Sequence, residues 1–232
     1  LESIAKVTKS NGDSAYLPKI YQLRGAERRE EALMKGGGTT QTEAAVAAGL
    51  RWLALHQSPD GQWTLDHYAD HLKNPSPRDF QGLKWNGSPG KNYKGGGYNY
   101  KGSSSGTVAT AMALLAFFGH GESHLKPGPY RSAIDRGLKW LVKAQKPDGD
   151  LRGGGNLYMH GIAAFALTEA YAFTRDAALK EAAQRAIDFT VKAQVPSRGG
   201  WRYEPYPKSQ DVDTSVFGWM MMALKSGKLG GL

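Results

Sequence analysis

The chain contains no cysteine, so it holds no disulfide framework, no thiolate metal site and no cysteine nucleophile, and its redox compartment is left open. It has no run of 18 apolar residues, which excludes a helix of ordinary membrane-spanning length. Basic residues outnumber acidic ones by 30 to 21, giving a net charge of +9, yet no Lys/Arg run of five or more occurs. Pairs such as Arg28-Arg29 are followed at once by Glu30-Glu31. Charge of this sign attracts anionic partners in general, but when it is dispersed in this way no nucleic-acid binding is expected. A Gly-x-Gly-x-x-Gly after a strand and a Walker pattern are both missing, so nucleotide binding has no support. The opening residues Leu1-Glu-Ser-Ile-Ala-Lys lack the basic and apolar regions of a signal peptide and read as the start of an excised or processed fragment.

What the chain does contain is a pattern repeated three times. Gly49, Trp52, Leu53 and Gln57 are followed by Pro59, Gly61 and Trp63; Gly137, Trp140, Leu141 and Gln145 by Pro147, Gly149 and Leu151; Ala186, Phe189 and Gln194 by Pro196, Gly199 and Trp201. Each copy is a helix-like run with a Gln near its end, then a tight turn and a closing residue. Self-similarity at fixed offsets marks a repeat architecture.

This pattern resembles the QW repeat of squalene-hopene and oxidosqualene cyclases, and the chain from about Thr42 onward is similar to bacterial prenyltransferase/squalene-oxidase repeat proteins. The first copy matches fully. The second has Leu151 in place of Trp, and the third has Ala186 in place of Gly and one extra residue before Trp201. The resemblance implies an all-α fold of α/α hairpins belonging to a toroid. It also implies a structural role for Gln57, Trp63, Gln145, Gln194 and Trp201: each Gln hydrogen-bonds at the start of a neighbouring helix, and the Trp stacks over it.

Periodicity places six helices after an N-terminal arm and Gly-rich linker over residues 1–41, which includes a short helix over Gly25 to Met34. The first hairpin pairs Thr42 to Gln57, with Thr42 as N-cap, with Ser105 to Gly119. The second pairs Tyr130 to Gln145 with Tyr158 to Thr174, and the third pairs Asp176 to Gln194 with Thr214 to Ser226. Gln145 and Gln194 stand 49 residues apart, whereas Gln57 and Gln145 stand 88 apart. The excess is a Gly/Tyr/Lys-rich insertion at 64–104, read either as a mobile surface loop or as part of a binding rim. Three hairpins make a partial toroid, about half of the ring in the cyclases, and its exposed repeat ends favour self-association.

Candidate chemistry gathers where the inner helices begin. Asp211-Val-Asp213-Thr-Ser resembles the Asp-x-Asp-Asp motif of class II terpene cyclases, which hold one carboxylic acid protonated to attack an alkene or epoxide. In one alignment Thr214 replaces the third Asp; in the other Val212 takes the position of the proton donor. Asp213 reads equally as the N-cap of the last helix. His160 starts the preceding inner helix, either as an acid/base partner of Asp211 and Asp213 or as a polar helix-start residue. Trp219, Phe217 and Tyr158 are candidate substrate-binding rings, able to stabilise a cation through their faces or to serve as core. His67 and His71, beside Asp66 and Asp70, have a spacing that would align two imidazoles on a helix, but no metal site is assigned. His120 and His124 read as turn residues, and no cofactor is implied.

Two functions follow. One is a non-catalytic repeat module that binds an apolar isoprenoid or anionic glycan ligand, or a protein partner. The other is a squalene-cyclase-like enzyme with Asp211 or Asp213 as the acid and His160 assisting. A polysaccharide lyase on a half toroid is a third, weaker possibility.

Overall fold

The computed structural model describes residues 18–65, 105–205 and 211–232. Among them are eight helices and no strand: α1 Lys19–Gln22, α2 Ala26–Lys35, α3 Thr40–Leu55, α4 Ser105–Gly119, α5 Arg131–Ala144, α6 Leu157–Thr174, α7 Ala177–Lys192 and α8 Thr214–Gly230. The chain is all-α over these residues. All but the first two residues of the 64–104 insertion lie outside the described residues, and His67 and His71 lie outside them too.

Short polar side chains set four of the eight helix starts. Thr39, not Thr42, is the N-cap of α3: its Oγ1 accepts from Thr42 N at 3.2 Å while Thr42 Oγ1 accepts from Thr39 N at 2.9 Å, a reciprocal capping box. Asn156, Asp176 and Asp213 cap α6, α7 and α8 through their side-chain oxygens. α6 stops at Arg175, which adopts the left-handed conformation with φ 56°. The Arg175 guanidinium then reaches the carbonyls of Leu229 and Gly230, satisfying acceptors that the last turn of α8 leaves open. α8 accordingly runs four residues past Ser226, where periodicity had ended it.

α6 is the centre of the packing. It is apolar all round, with fourteen of its eighteen residues buried, as a helix enclosed by neighbours must be. α4 and α8 flank it, and α7 and α5 cover it from a second layer. Gly161 allows the α6–α8 approach, because a Cβ there would stand 3.0 Å from the Cβ of Trp219. The most extensive pairings of consecutive helices are α4 with α5 and α6 with α7, offset by one from the hairpins inferred from the Gln spacing. For α6 and α7 the reason is linker length, since only two residues join them and force them antiparallel and adjacent.

The N-terminal arm is part of this packing. Tyr21 is buried, and its hydroxyl donates to Glu169 Oε2 of α6 at 2.9 Å. Arg24 donates to Glu169 Oε1 at 2.6 Å, and the Ser226 hydroxyl of α8 also reaches Glu169. A buried carboxylate held by three donors ties these residues of the arm to α6 and α8.

The outer helices α3, α5 and α7 are joined differently. Gln57 Nε2 donates to Gly61 O within its own turn and to Ala133 O of α5, both at 2.8 Å, while Arg136 of α5 donates back to Gln57 Oε1. Gln145 repeats this one step on: its Nε2 reaches Gly149 O at 3.4 Å and Ala182 O of α7 at 3.0 Å, and Arg185 donates to Oε1 at 2.9 Å. Gly61 and Gly149 have φ of 100° and 94°, and a Cβ would come within 2.7 Å and 2.0 Å of the Arg136 and Arg185 carbonyls. Only glycine fits both constraints.

The departures of the second and third copies compensate one another. Trp63 packs on Gly137, where a Cβ would stand 2.7 Å from its ring. One repeat later the equivalent pair is Leu151 and Ala186, both fully buried in the same apolar cluster, so the smaller closing residue after the turn accompanies the larger residue on the helix. Gln145→Ala is expected to cost about 1–3 kcal/mol by stranding the Ala182 carbonyl and Arg185, a fall in Tm of roughly 3–8 °C for a domain of this size. Gly149→Ala should cost more, as thermal melts of the two variants will show.

Candidate functional site

Because α6 is enclosed on most sides, its partly exposed aromatic residues fall on one line: Tyr158, Phe165 and Phe173. This line includes Glu169, so the arm covers its lower part through Tyr21 and Arg24, with Tyr21 and Phe173 ring centroids 5.8 Å apart. In the upper part Tyr158 and Phe165 are partly exposed. There Tyr158 meets Trp219 of α8 edge to face at 6.3 Å. Val108 and Leu115 of α4 are partly buried on the same core, and Met112, one turn from each, is 48% exposed. Tyr158, Trp219 and Met112 are thus partly exposed apolar residues on the three inner helices.

The acidic segment stands at the start of α8. Asp213 Oδ1 accepts from Ser215 N at 2.9 Å and Val216 N at 3.0 Å, and from the Ser215 hydroxyl; Tyr203 donates to Oδ2 at 3.1 Å. These bonds, the Ser215 hydroxyl first and the Val216 amide next, hold its carboxyl below the usual range. Asp211 pairs with Arg202 at 2.6 Å with most of its side chain in solvent. With Val212, Arg198 and Arg202 the two carboxylates line an open cleft of about 430 Å³. Both are ion-paired or capping carboxylates, the opposite of an acid kept protonated by burial.

His160 is elsewhere in both position and chemistry. It is fully buried, and its Nδ1 accepts from Leu151 N at 3.1 Å while Nε2 stands 3.0 Å from Thr190 Oγ1. Thr190 Oγ1 donates its own proton to Ala186 O, so it accepts from His160, and the network assigns a neutral imidazole protonated on Nε2. Burial lowers its pKa to about 4. In the first repeat Thr110 does the same task, accepting from Trp63 N at 2.9 Å. His160 is thus a backbone acceptor beneath the second turn, and neither Asp211 nor Asp213 is among its partners.

The structure therefore brings Tyr158 together with Trp219, and Asp211 together with Asp213, but does not join these pairs to His160 or to each other through direct bonds. Phe217 turns away from Trp219 and packs on Trp201 at 5.8 Å, leaving 40% of itself exposed. Trp201 donates its indole N–H to Thr190 O, as Trp63 does to Leu53 O, both at 2.7 Å. Glu169 and Asp150 were not singled out in the sequence. Burial pushes Asp150 up, but bonds from Arg152 and Lys146 outweigh this and leave it at about 2. Among the described residues no group of three or more His, Asp and Glu is placed to hold a metal ion, and no helix is long and apolar enough to cross a membrane. No family model, curated protein or solved structure matches the chain.

His160 sets a pH dependence. Its folded pKa lies below the unfolded value, so protonation favours unfolding; the stabilisation is complete above about pH 6.5 and fades as pH falls toward 4. Chemical denaturation at pH 7 and pH 4.5 should show a loss of roughly 2–3 kcal/mol attributable to this group. His160→Gln should remove that part of the slope.

Proposed function

We propose that the chain is a non-catalytic binding module, a three-hairpin arc of an α/α toroid of the terpenoid-cyclase kind. Its inner face, centred on Tyr158 and Trp219, takes an apolar, isoprenoid-like ligand. The observation that carries this reading is the state of the polar groups. Asp213 is an ionised helix cap, Asp211 is ion-paired in solvent, and His160 is neutral and locked between Leu151 and Thr190. None is a protonated acid facing the aromatic surface. What remains there is apolar area and ring faces, which bind through burial rather than through proton transfer.

Titration with a farnesyl alcohol should saturate with a calorimetric signal, and Trp219→Ala should weaken it about tenfold or more, within the 1.5–3 kcal/mol carried by a buried ring. Asp213→Asn should leave both binding and melting temperature nearly unchanged, because Asn caps a helix about as well as Asp. Incubation with a linear polyene isoprenoid should give no cyclised product by mass-separated chromatography. A product that disappears in Asp213→Asn would replace this reading with the acid-initiated cyclase.

A further inference from the structure

The two filled turns define what a third would receive. At Gln57 and at Gln145 the neighbouring outer helix offers the same set: a main-chain carbonyl, an Arg three residues on and a small residue after it. The residues are Ala133, Arg136 and Gly137 in one case and Ala182, Arg185 and Ala186 in the other. Each Arg is steadied from four residues earlier, Arg136 by Ser132 and Arg185 by Glu181. Gly61 and Gly149 are buried beneath these helices.

The third turn keeps the bond from the Gln to the turn glycine, over one residue more. Gln194 Nε2 donates to Gly199 O at 2.8 Å, Gly199 has φ of 66°, and Val195 N closes the turn on Gly200 O at 2.8 Å. Beyond the turn it differs. Gly199 is exposed, a Cβ there would meet nothing within 4 Å, and Val191 of α7 beside it is 55% exposed. Trp201 is buried within this chain, so what lies open is the polar half of the turn.

We propose that Gln194 and Gly199 form a docking site for a further outer helix of the same kind: one that presents a carbonyl, an Arg three residues later and Gly or Ala after that. Gln194 Oε1 accepts from the incoming guanidinium and its second Nε2 hydrogen goes to the incoming carbonyl, continuing the interface already built twice inside the molecule. The partner is thus an α/α repeat helix. The α3 helix of a second copy does not qualify as it stands, because Ala48 occupies the Arg position, although Ala45, Ala48 and Gly49 are all exposed. The proposal concerns the edge of the outer row and is independent of what the inner face binds.

This allows a test on the whole chain. The double substitution Ala44→Glu with Ala48→Arg gives α3 the arrangement of Glu181, Ala182, Arg185 and Ala186, at positions that are exposed in the folded chain. Its mass should rise with loading concentration in size-exclusion chromatography with light scattering, with unchanged helical content and melting temperature at low concentration. Adding Gln194→Ala should return it to the monomer. A double variant that stays monomeric at every loading overturns the proposal, and so do oligomers that persist when Gln194 is removed.

Discussion

The outer row of this protein depends on one primary amide per repeat. A Gln side chain has two N–H donors and a carbonyl acceptor, and at Gln57 and Gln145 all are used: one donor closes the local turn, the other reaches the next helix, and the oxygen takes an Arg. A Glu could not donate to the two carbonyls. The surrounding residue choices follow from holding this group in place. The turn needs a positive φ and close passage under a carbonyl, hence Gly61 and Gly149; the next helix needs Arg136 or Arg185 at the right height and a small residue where the closing side chain packs.

The polar residues at the inner-helix starts serve the fold in a related way. Asp213 and Asn156 cap two of these helices, and His160 supplies the acceptor that Thr110 supplies one repeat earlier. Imidazole is larger than a hydroxyl, and it also packs on Phe189 at 4.6 Å, in the repeat that has Leu151 where the first has an indole. Leu151, Ala186 and His160 therefore form one substitution spread over three positions.

How much of this the sequence disclosed depended on range. Helical class and approximate boundaries were legible, because apolar spacing and capping residues act within a turn or two. The Gln, Pro and Gly offsets were legible for the same reason. The carbonyls that Gln57 and Gln145 reach were not, since a backbone group has no residue signature and Ala133 lies 76 positions away. Arg136 and Arg185 did leave a trace, each standing immediately before the repeat's Gly or Ala. His160 was ambiguous because a helix-start histidine looks the same whether it faces a cavity or a main-chain N–H. Tyr21 and Glu169, 148 positions apart, carried no local sign of their pairing.

Both rows draw on one apolar cluster: Leu50, Leu141 and Ala186 of the outer helices are buried in it with Leu114, Leu167 and Ala223 of the inner ones. The amides add direction to that burial, because apolar packing tolerates small slips along a helix, whereas a donor aimed at one carbonyl does not. Gln57 and Gln145 therefore fix the register of each outer helix against the next.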